Sequence, residues 1–192
     1  KIERYVKMIR EENSRMLSQV EDVVRISQVE RSNEPVQKAP IDLHEIIKDS
    51  IHHIDLILKS KSGKLETNFN AKNSLVFGNK SHLTNIIINL LDNALKYCEN
   101  NPELMVETLN DESNFIFKVK DNGIGMSPNT QKKVFEKFYR ASSGNIHNTK
   151  GHGLGLAYVK RIVDLHKGAI NLESKKDFGT TISISIPNER LI

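Results

Sequence analysis

Asn85-Ile-Ile-Ile-Asn89-Leu-Leu-Asp-Asn93-Ala-Leu-Lys96-Tyr97 is the stretch on which the fold and the chemistry of this chain turn. Read as a helix, it puts Asn85, Asn89, Asn93 and Lys96 on one face at spacings of four, four and three. Ile86, Leu90 and Ala94 fall on a neighbouring face suited to packing against a sheet. Three carboxamides in a row offer neutral oxygen ligands and N–H donors, which suits a Mg²⁺ already neutralised by phosphates. Lys96 adds a cation at the same end. An Asn-rich solvent-facing helix is the plainer reading, so the neighbouring segments decide.

Downstream, Asp121-Asn-Gly123-Ile-Gly125-Met126 follows a strand pattern directly. Its glycines let the backbone approach a ligand and take positive φ. A carboxylate at a strand end can accept from an exocyclic amino group such as that of adenine; an ordinary Asp-Asn-Gly turn is the competing reading. Gly151-His152-Gly153-Leu154-Gly155-Leu156 then leads into a helix, exposing successive N–H groups where the dipole favours anions. It lacks the Gly-Lys-Ser/Thr ending of a P-loop and the spacing of a Rossmann fingerprint. Between these segments lies Phe135-Glu-Lys137-Phe138-Tyr-Arg140, where Phe135 and Phe138 read as core residues at the base of a loop. Lys137 and Arg140 are candidates to reach a terminal phosphate, or to be simply solvated.

Outward from these motifs the chain divides in two. Ile2, Ile9, Met16 and Val23 recur every seven residues with Val6 and Val20 between them, giving one helical stripe that wants a partner helix. Arg31 to Pro40 reads as a linker. A capping box at Asp42 and Glu45 opens a helix to about Lys59. Strands are expected over 65–69 and 75–77, then a helix capped by Ser81 over 83–98. An antiparallel pair is expected over 103–109 and 114–120. Pro128 opens a helix to Phe138, 141–152 is a mobile loop, and a helix from Leu154 stops at Gly168. Strands over 169–174 and 181–186 close the chain, with Ile182, Ile184 and Ile186 alternating with serines. Helices among mostly antiparallel strands imply a two-layer α/β sandwich of the α+β class.

The 192 residues carry a net charge of +4 in short basic runs without interleaved aromatics, a solvated face rather than a nucleic-acid surface. No apolar run approaches the roughly 20 residues that cross a bilayer, and no signal-peptide pattern opens the chain. Cys98 is the single cysteine, read as an inert residue at a helix end that fits a reducing compartment.

In this order the four segments resemble the N, G1, F and G2 boxes of histidine kinase catalytic domains, within the Bergerat-type ATPase superfamily. Asp177-Phe-Gly179-Thr180-Thr181 looks like the weaker last G box. The resemblance covers about residues 36–188. It implies an ATP-binding catalytic domain over 36–192, while 1–34 is similar to the second helix of a dimerisation and phosphotransfer domain. By this resemblance Asp121 binds the adenine amino group and Gly125 lies against the base, with Gly123 and Met126 in the same loop. Asn89 and Asn93 hold Mg²⁺, Lys96 contacts phosphate, and Tyr97 the sugar or base. Gly151, Gly153 and Gly155 cradle the phosphates with His152, Leu154 and Leu156 alongside, Arg140 reaches in, and 141–150 forms an ATP lid. Thr181 stands behind the adenine, with Thr180 the competing choice.

Related hydrolases place a Glu four residues before the metal-binding Asn. Here that position is Asn89, which cannot take a proton, so transfer to an added nucleophile is expected rather than hydrolysis. In the family that nucleophile is a histidine followed by Glu or Asp and an Arg-Thr-Pro-like segment. None of the seven histidines here has such surroundings, and all are read as ordinary, partly exposed residues without metal-ligand spacing. The resemblance further implies a response-regulator receiver domain as partner and a homodimer through the dimerisation helices. It implies a cytoplasmic domain of a parent protein in the bacterial inner membrane, with no membrane or nucleic-acid contact by this segment. A stand-alone ATPase or serine kinase and a non-enzymatic dimerising module are the alternatives.

Overall fold

The computed structural model describes residues 2–31, 37–98, 101–140 and 153–188, in two compact units that divide after Pro35. The centre of the expected linker, residues 32–36, lies outside the described residues. The first unit is helix α1 (Ile2–Arg31). Its length is about 45 Å at 1.5 Å per residue. The expected stripe of Ile2, Val6, Ile9, Met16, Val20 and Val23 is exposed, and so are Tyr5, Met8, Leu17 and Val24. The apolar surface is therefore broader than the seven-residue repeat alone.

The second unit runs β1 (Ala39–Asp42), α2 (Leu43–Ser60), β2 (Lys64–Phe69), β3 (Leu75–Gly78), α3 (Lys80–Lys96), β4 (Glu103–Asn110), β5 (Asn114–Asp121), α4 (Pro128–Lys133), α5 (Gly155–Leu165), β6 (Ala169–Lys175) and β7 (Gly179–Pro187). Five strands form one sheet in the order β2-β4-β5-β7-β6. Only β2–β4 is parallel among these pairs. Alternation decides the faces. Leu104, Val106, Phe115, Phe117, Val119, Ile182, Ile184 and Ile186 are buried, whereas Met105, Glu107, Lys118, Ser183 and Ser185 keep solvent contact. Helix α3 packs between α2 and α5 over the apolar face, with Ile86, Ile87, Leu90 and Leu91 fully buried. Each such side chain contributes roughly 1.5–3 kcal/mol of burial free energy. Two layers result, an α+β sandwich with one sheet face open.

Four boundaries differ from the sequence reading. Strand β1 occupies the end of the expected linker. It pairs antiparallel with β3 alone, a two-stranded ribbon whose edge tolerates Pro40. The cap of α3 is Asn79, whose Oδ1 accepts from the His82 amide at 3.0 Å; Ser81 is already inside the helix. Helix α4 stops at Lys133 rather than reaching Phe138. Phe138 takes φ 62° and its amide donates to Gly153 O at 2.9 Å, a long-range bond outside the helix. Finally, α2 and α5 close with Ser62 and Lys167 in the left-handed conformation. The next residues, Gly63 and Gly168, donate to Leu58 O and Val163 O, both at 2.9 Å. Gly168 thus sits one position beyond its expected place, where a Cβ would collide with Ser185 O. At the start of α2, Asp42 Oδ1 accepts from the His44 amide at 2.8 Å as expected, while Glu45 is exposed.

Candidate nucleotide site

The asparagine face of α3 is partly exposed, while Ile86, Leu90 and Ala94 are buried beneath it. Asn89 Nδ2 donates to Asn85 O at 2.8 Å, which fixes the amide and turns its Oδ1 away from the helix backbone. The N-terminus of α5 meets that oxygen: a Cβ on Gly155 would lie 2.7 Å from Asn89 Oδ1 and 3.8 Å from Asn93 Nδ2. A side chain at Gly155 would displace the Asn89 amide from this position. The start of α5 has no side-chain cap, and Leu154 and Leu156 anchor it by burial. A neutral oxygen and uncapped helix amides thus face the same space, a donor set that fits a phosphate-bound Mg²⁺. At the far end of α3, Lys96 Nζ sits 4.8 Å over the Tyr97 ring and 3.4 Å from its hydroxyl.

The loop after β5 closes on this helix end. The Ile124 amide donates to Tyr97 O at 3.1 Å, and a Cβ on Gly123 would lie 2.6 Å from the same oxygen. Gly125 takes φ 61°, and any side chain there would strike Lys175 O at the end of β6. Asp121 is 9% exposed, and its Oδ1 accepts from the amides of Gly123 at 2.8 Å and Thr180 at 3.2 Å. Its Oδ2 makes no further hydrogen bond among the described residues. Burial pushes the carboxyl up to about 6, against the downward pull of the two amides. A cleft of about 280 Å³ opens at this margin, lined by Lys120, Asp121, Glu173, Ser174, Lys175, Phe178, Gly179, Thr180 and Thr181. Both sheet faces contribute to it, so it is a notch at the sheet edge rather than the whole nucleotide site.

Several sequence expectations need correction. Thr180, not Thr181, is the cross-strand partner of Asp121 and shares its buried face; Thr181 pairs with Lys120 on the open face. The parity was legible, because Thr180 falls in step with Ile182, Ile184 and Ile186. The Phe138 ring is 65% exposed rather than core, and Phe135 is half-buried. Their helical spacing misled, since the helix ends before both. Met126 is partly buried, with its carbonyl held by Gln131 Nε2 at 3.0 Å. Arg140 is exposed and engaged. Gly151, His152 and residues 141–150 lie outside the described residues.

His166, expected to be partly exposed, is 3% exposed. Its Nε2 accepts from the Asn79 amide at 3.1 Å, so Nδ1 carries the proton and donates to Ile162 O at 2.8 Å. Burial holds its pKa below the usual range. Lys61 is a second residue of this kind: its Nζ donates to Leu95 O at 2.9 Å and Cys98 O at 3.1 Å. Neither carries a sequence signal, because each acts through a partner more than 30 positions away. Cys98 is buried, and burial first, then the Asp121 charge, push its thiol up to about 11, which makes it unreactive as expected.

Comparison with known proteins follows the same lines. The family profile for histidine kinase-, DNA gyrase B- and HSP90-like ATPases matches residues 78–190. The sensor protein RprX of Bacteroides fragilis is 40% identical over 182 residues, covering 94% of this chain and 35% of that protein. The circadian input-output histidine kinase CikA of Synechococcus elongatus is 29% identical over 192 residues, covering 98% and 25%. This chain thus spans about a third or less of these relatives. Full-length ShkA in complex with AMPPNP superposes with a TM-score of 0.83 at 22% identity, over 95% of this chain and 38% of that one. A mycobacterial sensor histidine kinase, MprB, superposes with a TM-score of 0.65 at 29% identity, over 78% and 97%. The profile begins at the strand before the asparagine helix and ends beyond the last strand of the sheet, so the whole nucleotide corner falls within it. The chain belongs to the histidine kinase-, DNA gyrase B- and HSP90-like ATPase family.

Proposed function

We propose that residues 36–192 are the ATP-binding catalytic domain of a sensor histidine kinase, and that 1–34 are the second helix of its dimerisation domain. Asn89 carries the reading. Its amide nitrogen is held by Asn85 O and its oxygen faces the start of α5, so the position that serves as a base in related hydrolases holds a neutral ligand instead. The γ-phosphoryl is thereby kept for an added nucleophile, a histidine that none of the seven in this chain provides, before relay to a response-regulator aspartate.

Each residue has its task. Asp121 accepts from the adenine amino group, and Gly125 allows the base close approach. Asn89 and Asn93 would hold Mg²⁺, which would supply charge neutralisation at the phosphates. Lys96, preorganised over Tyr97, contacts phosphate, and the amides at Gly153 and Gly155 receive its other oxygens. Gly151, His152, Leu154, Leu156 and Arg140 complete the phosphate side, and 141–150 forms the lid. The parent protein is a homodimer through helices such as α1, is anchored in the bacterial inner membrane, and hands its phosphoryl group to a receiver domain.

The test uses γ-labelled ATP with Mg²⁺. The chain is expected to bind the nucleotide without releasing phosphate or acquiring an acid-labile phosphohistidine. When mixed with a histidine-bearing dimerisation domain, it is expected to supply the phosphoryl group. Rapid release of inorganic phosphate by the chain alone would replace transfer with hydrolysis.

A further inference from the structure

We propose that Ser174 sets the base preference of the nucleotide site by fixing the polarity of the Thr180 hydroxyl. The inference rests on the reading of this corner as the base site. Ser174 has one hydroxyl proton. Its Oγ lies 2.9 Å from Gly179 O, a carbonyl that can only accept, so the proton is committed there. Thr180 Oγ1 lies 2.9 Å from the same Ser174 Oγ. With the serine proton spent, the threonine must be the donor of that second bond, and it offers a ligand only its lone pairs.

A second acceptor belongs to the neighbouring strand, on the same face of the sheet. Thr180 and Asp121 are cross-strand partners, and the Thr180 amide joins that of Gly123 on Asp121 Oδ1. Oδ2 is left as an acceptor as well. The Ser174 carbonyl is held in turn by Gln131 Nε2 at 2.7 Å, which fixes the strand end from α4. Two adjacent acceptors fit the exocyclic amino group of a 6-amino purine. A 6-oxo purine brings a third acceptor to the same place and leaves it unpaired. Without the serine hydroxyl, the Thr180 O–H is free to rotate and donate to that oxygen. Ser174 is thus a positioning residue that acts through Thr180.

The experiment is calorimetric titration of the chain with Mg-ATP and Mg-ITP, which differ only at the 6-position and N1 of the base. The wild-type chain should prefer ATP. Ser174→Ala should lower the ATP-to-ITP affinity ratio about tenfold, with ITP binding more tightly than before. Ser174→Thr, which keeps the hydroxyl, should restore the ratio. In a Thr180→Val background Ser174→Ala should no longer improve ITP binding, because no hydroxyl remains to turn. Equal losses for both nucleotides in Ser174→Ala would mean that Ser174 only braces the turn, and the proposal falls. If that variant does not fold, Thr180→Val alone decides: the ratio must drop, and an unchanged ratio overturns the proposal. A wild-type chain that binds neither nucleotide would overturn the base-site reading itself.

Discussion

Burial holds the Asp121 carboxyl at about 6, above the ordinary 3.8, yet its proposed work requires the ionised form. Between those values the folded chain keeps a proton that the unfolded chain has lost. Stability from this group is therefore full below pH 3.8 and is lost as pH rises through about 6. At neutral pH the charge costs the ligand-free fold up to about 3 kcal/mol, at 1.36 kcal/mol per pH unit. Asp121→Asn keeps an oxygen for the two amides and removes the charge. The variant should melt higher than wild type, by about 1–3 kcal/mol of stability, while losing nucleotide affinity at least a hundredfold. Calorimetric melting and ATP titration of the same sample check both halves. For the wild-type chain, ATP affinity should fall as pH drops below about 6, where the acceptor becomes protonated. The importance of Asp121 was legible from its place between a strand and two glycines. The identity of its threonine partner was equally available from strand parity, and the pKa was not, since it depends on what the rest of the fold stacks above the carboxyl.

The asparagine helix shows why an element can be read correctly while its supports are missed. The four-residue period of Asn85, Asn89 and Asn93 over buried Ile86 and Leu90 is a local pattern, and α3 forms where that pattern lies. What holds the helix at each end is not local. At its start, His166 from the end of α5 takes the Asn79 amide, and Asn79 caps the first turn. At its finish, Lys61 from the end of α2 takes the carbonyls of Leu95 and Cys98, a cation placed at the negative end of the helix dipole. Lys61→Ala should cost about 1–2 kcal/mol, because these carbonyls lose a charged donor. Because Lys96 and Tyr97 sit between the two carbonyls, ATP affinity should weaken in the same variant, and Lys61→Arg should recover most of both. Chemical denaturation alongside titration tests this; a variant with unchanged affinity would confine Lys61 to stability. The short α4 makes the converse point. The spacing of Phe135 and Phe138 is helical, yet the helix ends at Lys133 and the Phe138 amide bonds to Gly153 O instead.

At the scale of the whole chain, composition and alternation were enough to separate a lone long helix from a two-layer sandwich. They did not reveal that β2 runs parallel to β4, since strand direction leaves no mark on periodicity. That parallel pairing governs how the protein assembles itself in time. Lys64–Phe69 can meet Glu103–Asn110 only after the intervening chain, with β3 and all of α3, has been carried across as the crossover. Closing so long a loop carries an entropic cost before any contact repays it, which makes docking of the asparagine helix part of the slow step. The nucleotide corner, shared by α3, β5 and α5, is then complete only on the native side of the barrier. Saturating Mg-ATP should therefore slow unfolding in stopped-flow denaturant jumps while leaving the refolding rate almost unchanged. Faster refolding with an unchanged unfolding rate would place the corner's assembly before the barrier instead. A sequence order that puts one strand's partner beyond the ligand-bearing helix thus makes bound nucleotide a brake on unfolding rather than a template for folding.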